Sequence, residues 1–260
     1  MNRKTTDDDA NAAHFDMRAD DIFARIAGRY DLLCDLFSFG LHRLWKRRVA
    51  NLIAAAQWQS MLDAAAGTGD IALRLAKFHP ERCRSGSIIV SDVSLPMLAI
   101  AERRTAALRA PLVFQSLDAH SMPEIEAASI DLYSISLALK ICDRHRVFAE
   151  ALRVLRPGGT FIALEASTIG NARLRKLYLV YMRLCMPLIG WIATRGDASA
   201  YLYLLRGIEA FPDSAGLAEE MRSYGFENVV YERLTLGIVA IHVARKPGQV
   251  DIQETVQGVL

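Results

Sequence analysis

Between residues 60 and 164 the chain alternates short apolar runs with longer segments of helical spacing, and few folds accommodate this alternation. The apolar runs lie at 60–63, 87–90, 112–114, 130–137 and 160–164. The helical patterns lie at 71–78, 97–108 and 147–155. Strands that alternate with helices in this way are typical of βαβ units, whose strands pair in parallel. The sequence therefore predicts an α/β fold with a mostly parallel sheet and helices on both faces.

The flanking segments complete the predicted domain. Two β-like runs at 228–234 and 237–243 are joined by a short turn, which favours an antiparallel hairpin at one edge of the sheet. Residues 21–60 have helical spacing and predict an N-terminal helical cap. We expect a flexible N-terminal tail at 1–20, a single domain at 21–246 with inserted helices at about 171–210, and a C-terminal tail at 247–260.

Charge and cysteine content argue against several functional classes. The 31 basic and 29 acidic side chains leave a net charge of +2, which disfavours a nucleic-acid binder that depends on bulk charge. The 4 cysteines form no CxxC pair and no Cys/His spacing typical of zinc, so we expect neither a metal site nor a disulfide framework. The N-terminus lacks a signal-peptide apolar run, and the longest apolar stretch contains Arg183 and Pro187. We expect a cytoplasmic protein, and peripheral contact with the inner face of a membrane stays open.

A glycine-containing turn follows the first predicted strand, with the sequence Asp63-Ala-Ala-Ala-Gly67-Thr68-Gly69-Asp70. Small residues let the backbone approach a ligand there, and the following helix offers free N–H groups. A tight turn also needs glycine when no ligand binds. Asp92 ends the next strand, about 20 residues downstream, where a carboxylate can accept both hydroxyls of a ribose. The alternative role of Asp92 is a helix N-cap.

The turn differs from a dinucleotide site. No third glycine follows Gly69, and the acidic Asp70 would repel a phosphate. A nucleoside ligand without phosphates fits better, and S-adenosylmethionine (SAM) is a common one. Asp118 and Ala119 follow the third predicted strand, where they would meet the adenine amino group and ring edge. Taken alone, Asp118 is equally well explained as a turn residue.

Six segments of the chain resemble one family of enzymes. They are Phe23-Ala-Arg-Ile-Ala-Gly-Arg-Tyr-Asp31, Ser38-Phe-Gly-Leu-His-Arg-Leu-Trp-Lys-Arg47, Gly67-Thr-Gly-Asp70, Arg153-Val-Leu-Arg-Pro-Gly-Gly159, Tyr201-Leu-Tyr-Leu204 with Phe211-Pro212, and Leu234-Thr-Leu-Gly-Ile-Val-Ala-Ile-His242. The chain resembles the class I methyltransferases that C-methylate the ring of ubiquinone and menaquinone precursors. The resemblance implies a Rossmann-like fold, SAM as cofactor and a prenylated acceptor. It also implies cofactor contacts at Thr68, Asp92, Asp118, Ala119 and Ser136.

One segment departs from the family pattern. Where the family usually carries Ser-Phe-Gly-Leu-Arg-Asn-Val, this chain reads Ser136-Leu-Ala-Leu-Lys-Ile-Cys142. Lys140 keeps a positive charge but lacks the planar fork of arginine, and Ile141 has no hydrogen-bonding group. Two alternatives therefore stand beside the family activity. One is a different amphipathic phenol or lipid as acceptor, and the other is a non-catalytic partner in a biosynthetic complex.

Ring C-methylation as implied by the resemblance requires a phenolate and a nearby cation. Lys140 is the candidate cation, because it follows an apolar run at the carboxyl end of a strand. Tyr30, His42, Asp143 and His145 are candidates for binding or proton transfer. Each also has a structural explanation: a core aromatic for Tyr30, a solvated basic face for His42, and loop surface for the other two.

An apolar stripe at helical spacing offers a place for an isoprenoid tail. Its members are Leu174, Leu177, Tyr178, Tyr181, Cys185 and Leu188. Basic residues at 42, 43 and 46–48 surround Trp45. Together these features predict either a membrane-contacting face or an ordinary core-facing helix beside a basic surface. A homodimer is a further expectation left open.

Overall fold

The computed structural model describes residues 27–108, 110–194, 205 and 207–248. Its centre is a seven-stranded sheet with the order β3-β2-β1-β4-β5-β7-β6. The strands are β1 Ser60–Ala64, β2 Ser87–Ser91, β3 Leu112–Gln115, β4 Ile130–Ser136, β5 Leu155–Ala166, β6 Glu227–Leu234 and β7 Val239–Arg245. β1 to β5 pair in parallel, whereas β7 is antiparallel to both β5 and β6. The predicted α/β class and antiparallel edge hairpin are confirmed.

Eight helices accompany the sheet in the described part of the chain. They are α1 Tyr30–Ser38, α2 Leu41–Ala55, α3 Asp70–Phe78, α4 Pro80–Ser85, α5 Leu95–Thr105, α6 Arg144–Val154, α7 Ala172–Thr194 and α8 Ser214–Ser223. Local sequence explains several of their starts. Asp143 caps α6 by accepting a hydrogen bond from the His145 N–H at 3.0 Å, and Asp213 caps α8 by accepting one from the Gly216 N–H at 2.8 Å.

Both faces of the central strands are largely buried, and apolar residues on each face pack into a core. Alternate residues of one strand face opposite cores. Tyr133 and Phe161 pack under α6 and α8, with ring centroids 5.4 Å apart. Their neighbours Leu132 and Ile162 belong to a second core beneath α2 and α3. The sheet is thus a rigid platform whose upper edge holds the loops that follow each strand.

A helical cap covers that upper edge. α1 packs against α7, and the rings of Phe39 and Tyr181 lie 5.5 Å apart. Met182 is buried in a small cluster that also includes Phe37 and Tyr178. Among the residues with a described position, no helix combines the length and hydropathy needed to cross a bilayer. The predicted tail at 1–20, most of that at 247–260, and the motif residues 23–26 and 201–204 lie outside the described residues.

Candidate functional site

A cavity of about 320 Å³ lies at the carboxyl ends of the parallel strands. One wall consists of residues at or just after the ends of β1 to β4, namely Gly67, Asp92, Asp118 and Ser136. The opposite wall is largely apolar and comes from α1 and α7, with Leu33, Phe37, Tyr178 and Met182 among its residues. Open α/β sheets bind their ligands at this edge. Of the residues expected from the sequence to act here, those that line the cavity are Tyr30, His42, Gly67, Asp92, Asp118, Ala119, Ser136 and Lys140.

Asp92 is oriented by the backbone. The Gly67 N–H donates to Oδ2 at 2.8 Å, and the Ser94 N–H donates to Oδ1 at 2.9 Å. Gly67 itself has a positive φ of 57°, which glycine adopts without strain. A carboxylate oxygen can accept more than one hydrogen bond. This geometry suits a ribose.

Asp63 lies beneath the turn and does not line the cavity. Burial raises the pKa of its carboxyl to about 7, against the opposing effect of the Ser134 hydroxyl, which donates to Oδ1 at 2.5 Å. Oδ2 is buried and has no hydrogen-bond partner among the described residues. A buried carboxyl in this state suits a nearby cationic group, because a positive charge would favour its ionised form.

Thr68 and Gly69 support the turn from outside the cavity. The Thr68 hydroxyl donates to Asp31 Oδ1 of α1 at 2.7 Å and accepts from Arg104 Nη1 at 2.9 Å. Arg104 also pairs with Asp31 at 3.1 Å. A Cβ at Gly69 would lie 2.7 Å from the Cβ of Ala101, so the close approach of α5 requires glycine. The side chain of Thr68 therefore joins the turn to the helical cap.

Asp70 has its negative charge compensated within the protein. Lys46 Nζ lies 3.0 Å from Oδ2, and Arg104 Nη2 lies 2.7 Å from Oδ1. Arg74 is a third cation, at 3.2 Å from Oδ1. Burial alone would raise the pKa of Asp70, but Lys46 and Arg74 hold it well below its usual range. Asp70 fixes the start of α3 and stands outside the cavity wall.

Asp118 lines the cavity together with Ala119 and His120. Both the backbone N–H and ring Nδ1 of His120 contact Asp118 Oδ1, at 2.9 and 2.6 Å. The Asp143 N–H donates to the other ring nitrogen, Nε2, at 3.0 Å. Asp118 is half-exposed, whereas the imidazole is buried. Ser136 completes this side of the cavity, and its hydroxyl has no partner among the described residues.

Lys140 lies in a short 3₁₀ turn, Leu139–Ile141, after β4. Its Nζ lies 3.1 Å from Oε1 of Glu165, and its backbone N–H donates to Oε2 of the same carboxylate at 3.2 Å. Nζ also donates to the Leu137 carbonyl oxygen. Glu165 is completely buried, so the ion pair is shielded from solvent. The charge of Lys140 is therefore compensated by the protein itself.

Tyr30 and His42 reach the cavity from the cap. The neighbouring Cys34 sulfur and burial raise the pKa of Tyr30 well above 10, so its phenol stays protonated at neutral pH. Burial and the nearby Lys46 lower the pKa of His42 to about 4, so this imidazole is neutral. Ser38 Oγ donates to the Cys34 carbonyl oxygen at 2.6 Å and lies 2.9 Å from His42 Nδ1. Since that hydroxyl has one proton, we assign the imidazole proton to Nδ1.

Asp143 and His145 do not line the cavity. The Asp143 carboxylate caps α6, and its partner N–H groups belong to residues 145 and 146. The His145 ring packs edge-on against Tyr224, with centroids 5.0 Å apart. These contacts account for both residues structurally. Their roles in binding or proton transfer stay sequence-based predictions.

Four residues near the cavity were not expected from the sequence: Asp31, Arg104, His120 and Glu165. Three of them have partners brought close only by the fold, since Glu165 is 25 residues from Lys140, Arg104 is 36 from Thr68 and Asp31 is 37 from Thr68. No local pattern distinguishes such a residue from an ordinary surface or core position. His120 alone carried a signal, because it follows Asp118 by 2 residues at the end of a strand.

The residues present fit SAM. Asp92 suits the ribose hydroxyls, and Asp118 suits a hydrogen-bond donor such as the adenine amino group. The rest of the lining is predominantly apolar, as expected for a nucleoside without phosphates.

Comparison with known proteins places the chain in one family. Residues 11–246 match the model of the ubiE/COQ5 methyltransferase family. The chain is 38% identical over 225 residues to a ubiquinone/menaquinone biosynthesis C-methyltransferase UbiE of Acidiphilium cryptum, covering 85% of this chain and 88% of the relative. It is 34% identical to the mitochondrial 2-methoxy-6-polyprenyl-1,4-benzoquinol methylase of Caenorhabditis elegans, covering 92% of this chain and 83% of that protein.

Solved structures support the same fold. A SAM-dependent methyltransferase from Thermotoga maritima aligns with a TM-score of 0.60 at 16% identity, over 88% of this chain and 99% of that chain. The CurJ carbon methyltransferase aligns with a TM-score of 0.58 at 16% identity, over 78% of this chain but only 54% of the other. The expected Rossmann-like methyltransferase fold and SAM cofactor are confirmed. The chain belongs to the ubiE/COQ5 methyltransferase family.

Proposed function

We propose that the protein C-methylates the ring of a prenylated quinone precursor of the ubiquinone or menaquinone type. Family membership supports the reaction class. The observation that carries the proposal for this chain is the cavity at the carboxyl ends of the parallel strands. Carboxylates suited to a nucleoside line one side, and an apolar wall suited to an isoprenoid chain lines the other. A nucleoside-binding enzyme with a small polar acceptor would not need the second wall.

The cofactor half of the site rests on three groups in this proposal. Asp92 accepts the ribose hydroxyls, Asp118 accepts the adenine amino group, and Gly67 lets the backbone approach closely. When bound, SAM supplies an electrophilic methyl group on a positively charged sulfur. The chain's own contribution is to hold the acceptor ring beside that group and to keep water out, and positioning of this kind is the largest expected contribution to the rate.

The cap provides the groups nearest to an acceptor hydroxyl. His42 is neutral at pH 7 and is the candidate proton acceptor, whereas Tyr30 keeps its own proton and borders the cavity. Loss of the hydroxyl proton would place electron density on the neighbouring ring carbon. That carbon would form the new C–C bond as the methyl–sulfur bond of SAM breaks and S-adenosylhomocysteine is released. The proton on that carbon then leaves to restore the aromatic ring. Lys140 contributes a compensated charge rather than a free cation, because Glu165 already neutralises it.

A different amphipathic phenol is the second candidate acceptor. The specific observation in its favour is the wall around the 3₁₀ turn, where Lys140 is engaged by Glu165 and Ile141 adds an aliphatic side chain to the lining. Such a wall suits a ring without an anionic substituent at this position. The combined change of Lys140→Arg with Ile141→Asn tests this candidate: a gain in methylation of the prenylated quinol would indicate that the wall limits acceptance.

Peripheral membrane contact is also proposed, with a lipid bilayer as the partner of the cap. The side chains of Leu177, Leu184 and Leu188 on α7 are 67%, 68% and 58% exposed. The same helix has four basic residues and no acidic one. An amphipathic, basic helix is typical of proteins that lie on anionic membranes.

Vesicle co-sedimentation tests that contact. We expect the protein to bind vesicles containing phosphatidylglycerol and to bind vesicles of phosphatidylcholine alone more weakly. The double variant Leu177→Asp with Leu184→Asp should bind neither. A second copy of the chain is the competing partner for this face. Self-association without vesicles that disappears in the same variant would contradict membrane contact.

The reaction itself is tested with purified protein, labelled SAM and a reduced prenylated benzoquinol in detergent micelles. A labelled product heavier by one methylene unit, with the label on a ring carbon, is expected. Label on oxygen would contradict C-methylation. Absence of product from a protein that binds SAM would favour the second acceptor class, and a lipid extract supplied in place of the quinol would then identify it by product mass.

A further inference from the structure

The loop after β3 and the start of α6 are joined by one buried imidazole. His120 contacts Asp118 through Nδ1 at 2.6 Å and accepts from the Asp143 N–H through Nε2 at 3.0 Å. Its side chain is 5% exposed, whereas that of Asp118 is 49% exposed. His120 borders the cavity, but its ring is largely buried, and the half-exposed carboxylate offers a ligand the larger accessible surface.

The backbone fixes the tautomer of this ring. A peptide N–H only donates, so Nε2 of His120 must be unprotonated where it meets Asp143. The neutral imidazole then has its proton on Nδ1, directed at Asp118 Oδ1. The backbone N–H of His120 reaches the same oxygen at 2.9 Å. Two donors on one oxygen hold the carboxylate plane in a single orientation.

Oδ2 of Asp118 differs from Oδ1 in its hydrogen bonding. No hydrogen bond to Oδ2 is made within the described ranges 27–108, 110–194, 205 and 207–248. Asp118 lines the cavity, and its side chain is half-exposed. A carboxylate anchored through one oxygen and open at the other is suited to accept from an amino group of a ligand.

We propose that His120 is a positioning residue for base recognition: its Nδ1–H tautomer, set by the Asp143 N–H, orients Asp118 to select the 6-amino group of adenine over a 6-oxo purine. This inference rests on the proposed function, because it assigns the adenine end of SAM to Asp118. It adds a residue that acts through its hydrogen bond to Asp118. It also links base recognition to Asp143, which directly follows the Lys140–Cys142 wall of the cavity.

Two substitutions distinguish the contributions of the two ring nitrogens of His120. In His120→Asn the side-chain amide takes the place of Nδ1 and still donates to Asp118, but nothing accepts from the Asp143 N–H. In His120→Gln the amide oxygen takes the place of Nε2 and still accepts from Asp143, but the donor to Asp118 is lost. Both replacements are neutral and of similar size, so they differ mainly in which bond survives.

The experiment measures binding of S-adenosylhomocysteine and of its 6-oxo analogue, S-inosylhomocysteine, by calorimetry. A hydrogen bond to a charged group that only the adenine compound makes predicts a preference of about 10- to 100-fold in the wild type. The preference should fall to less than about threefold in Asp118→Asn and in His120→Gln, and it should persist in His120→Asn. Melting temperatures without ligand establish that each variant is folded.

Each contrary result has its own meaning. An unchanged preference in His120→Gln, with loss in Asp118→Asn, overturns the role of His120 and leaves Asp118 in the site. Equal loss in His120→Gln and His120→Asn identifies a merely structural residue and also overturns it. Equal binding of both compounds to the wild type removes the Asp118 assignment, and binding of neither removes the proposed function. Nitrogen-15 NMR of the wild-type imidazole, which needs no variant, should show the proton on Nδ1, and a proton on Nε2 would overturn the proposal.

Discussion

The ammonium group of Lys140 lies 3.1 Å from a carboxylate oxygen of Glu165, and neither side chain is open to solvent. The same carboxylate accepts from the backbone N–H groups of Lys140 and Ala166. One buried acid therefore satisfies the charge of the lysine and fixes the turn that forms part of the cavity wall. A lysine held in this way stabilises the fold but is not free to meet an acceptor.

Removal of the carboxylate charge should be costly. Glu165→Gln leaves the ammonium group of Lys140 buried without its anion, and an uncompensated buried charge typically costs about 3–5 kcal/mol. We expect a fall of this order in the free energy of unfolding, measured with urea. The double variant Lys140→Met with Glu165→Gln should recover most of the loss, because it has no buried charge. A loss below about 1 kcal/mol in Glu165→Gln would contradict the buried pair.

Asp92→Ala should weaken SAM binding by about 1.5–3 kcal/mol, because hydrogen bonds to a charged acceptor are lost. Calorimetric titration measures the change. Asp213→Ala is the matched control, since Asp213 caps α8 and is not part of the cavity lining. The control should lose about 1 kcal/mol of stability while binding SAM as the wild type does. Equal SAM affinity in Asp92→Ala and the wild type would remove the ribose assignment.

Asp31→Ala should accelerate dissociation of SAM. Asp31 joins α1 to the glycine turn through Thr68 and Arg104, and α1 covers one side of the cavity. Because Asp31 is partly exposed, we expect an effect near 1 kcal/mol, or roughly fivefold in the dissociation rate measured by stopped flow. Asp35→Ala is the control one turn later, because Asp35 pairs with Arg43 inside the cap. Equal rates in the two variants would argue against the contact with the turn.

Asp63 should make the stability of the ligand-free protein depend on pH. Its pKa is about 7 in the folded chain, whereas an unfolded aspartate has its ordinary value of 3.8. A raised pKa contributes stability that is complete below about pH 4 and is lost as the pH rises through 7. The full difference corresponds to roughly 4 kcal/mol at most.

Urea unfolding at pH 5 and pH 8, compared between wild type and Asp63→Asn, measures this contribution. The wild type should lose more stability than the variant between the two values. His42, whose pKa is lowered to about 4, acts in the opposite direction, so only the difference between the two proteins isolates Asp63. Parallel pH profiles would show that Asp63 is already ionised in the fold.

The sheet was predictable from the sequence because its strands are buried on both faces. Such strands are rich in apolar residues on both faces, and the predicted run at 130–137 corresponds closely to β4. The predicted helix starts were less exact. The pattern at 147–155 missed the first turn of α6, which begins at Arg144 after the capping residue Asp143. Polar first turns carry no apolar periodicity, so their residues resemble loop.

Partners across strands were not predictable. The register of β4 with β5 pairs Ser136 with Leu164, which places Glu165 beside the turn that carries Lys140. A one-residue shift in that pairing would turn the carboxylate to the other face of the sheet. Residue spacing along the chain does not specify such a register, so the sequence predicted Lys140 as a candidate cation without its partner Glu165.

Helix α1 contacts both the cofactor side and the apolar side of the cavity. Tyr30 and Phe37, at its two ends, both line the cavity, and Asp31 ties the same helix to the turn beneath the nucleoside subsite. An outward movement of α1 that releases the demethylated cofactor would also change the apolar wall that a long hydrocarbon chain would contact. A displacement of this nine-residue helix would therefore alter both walls of the cavity together.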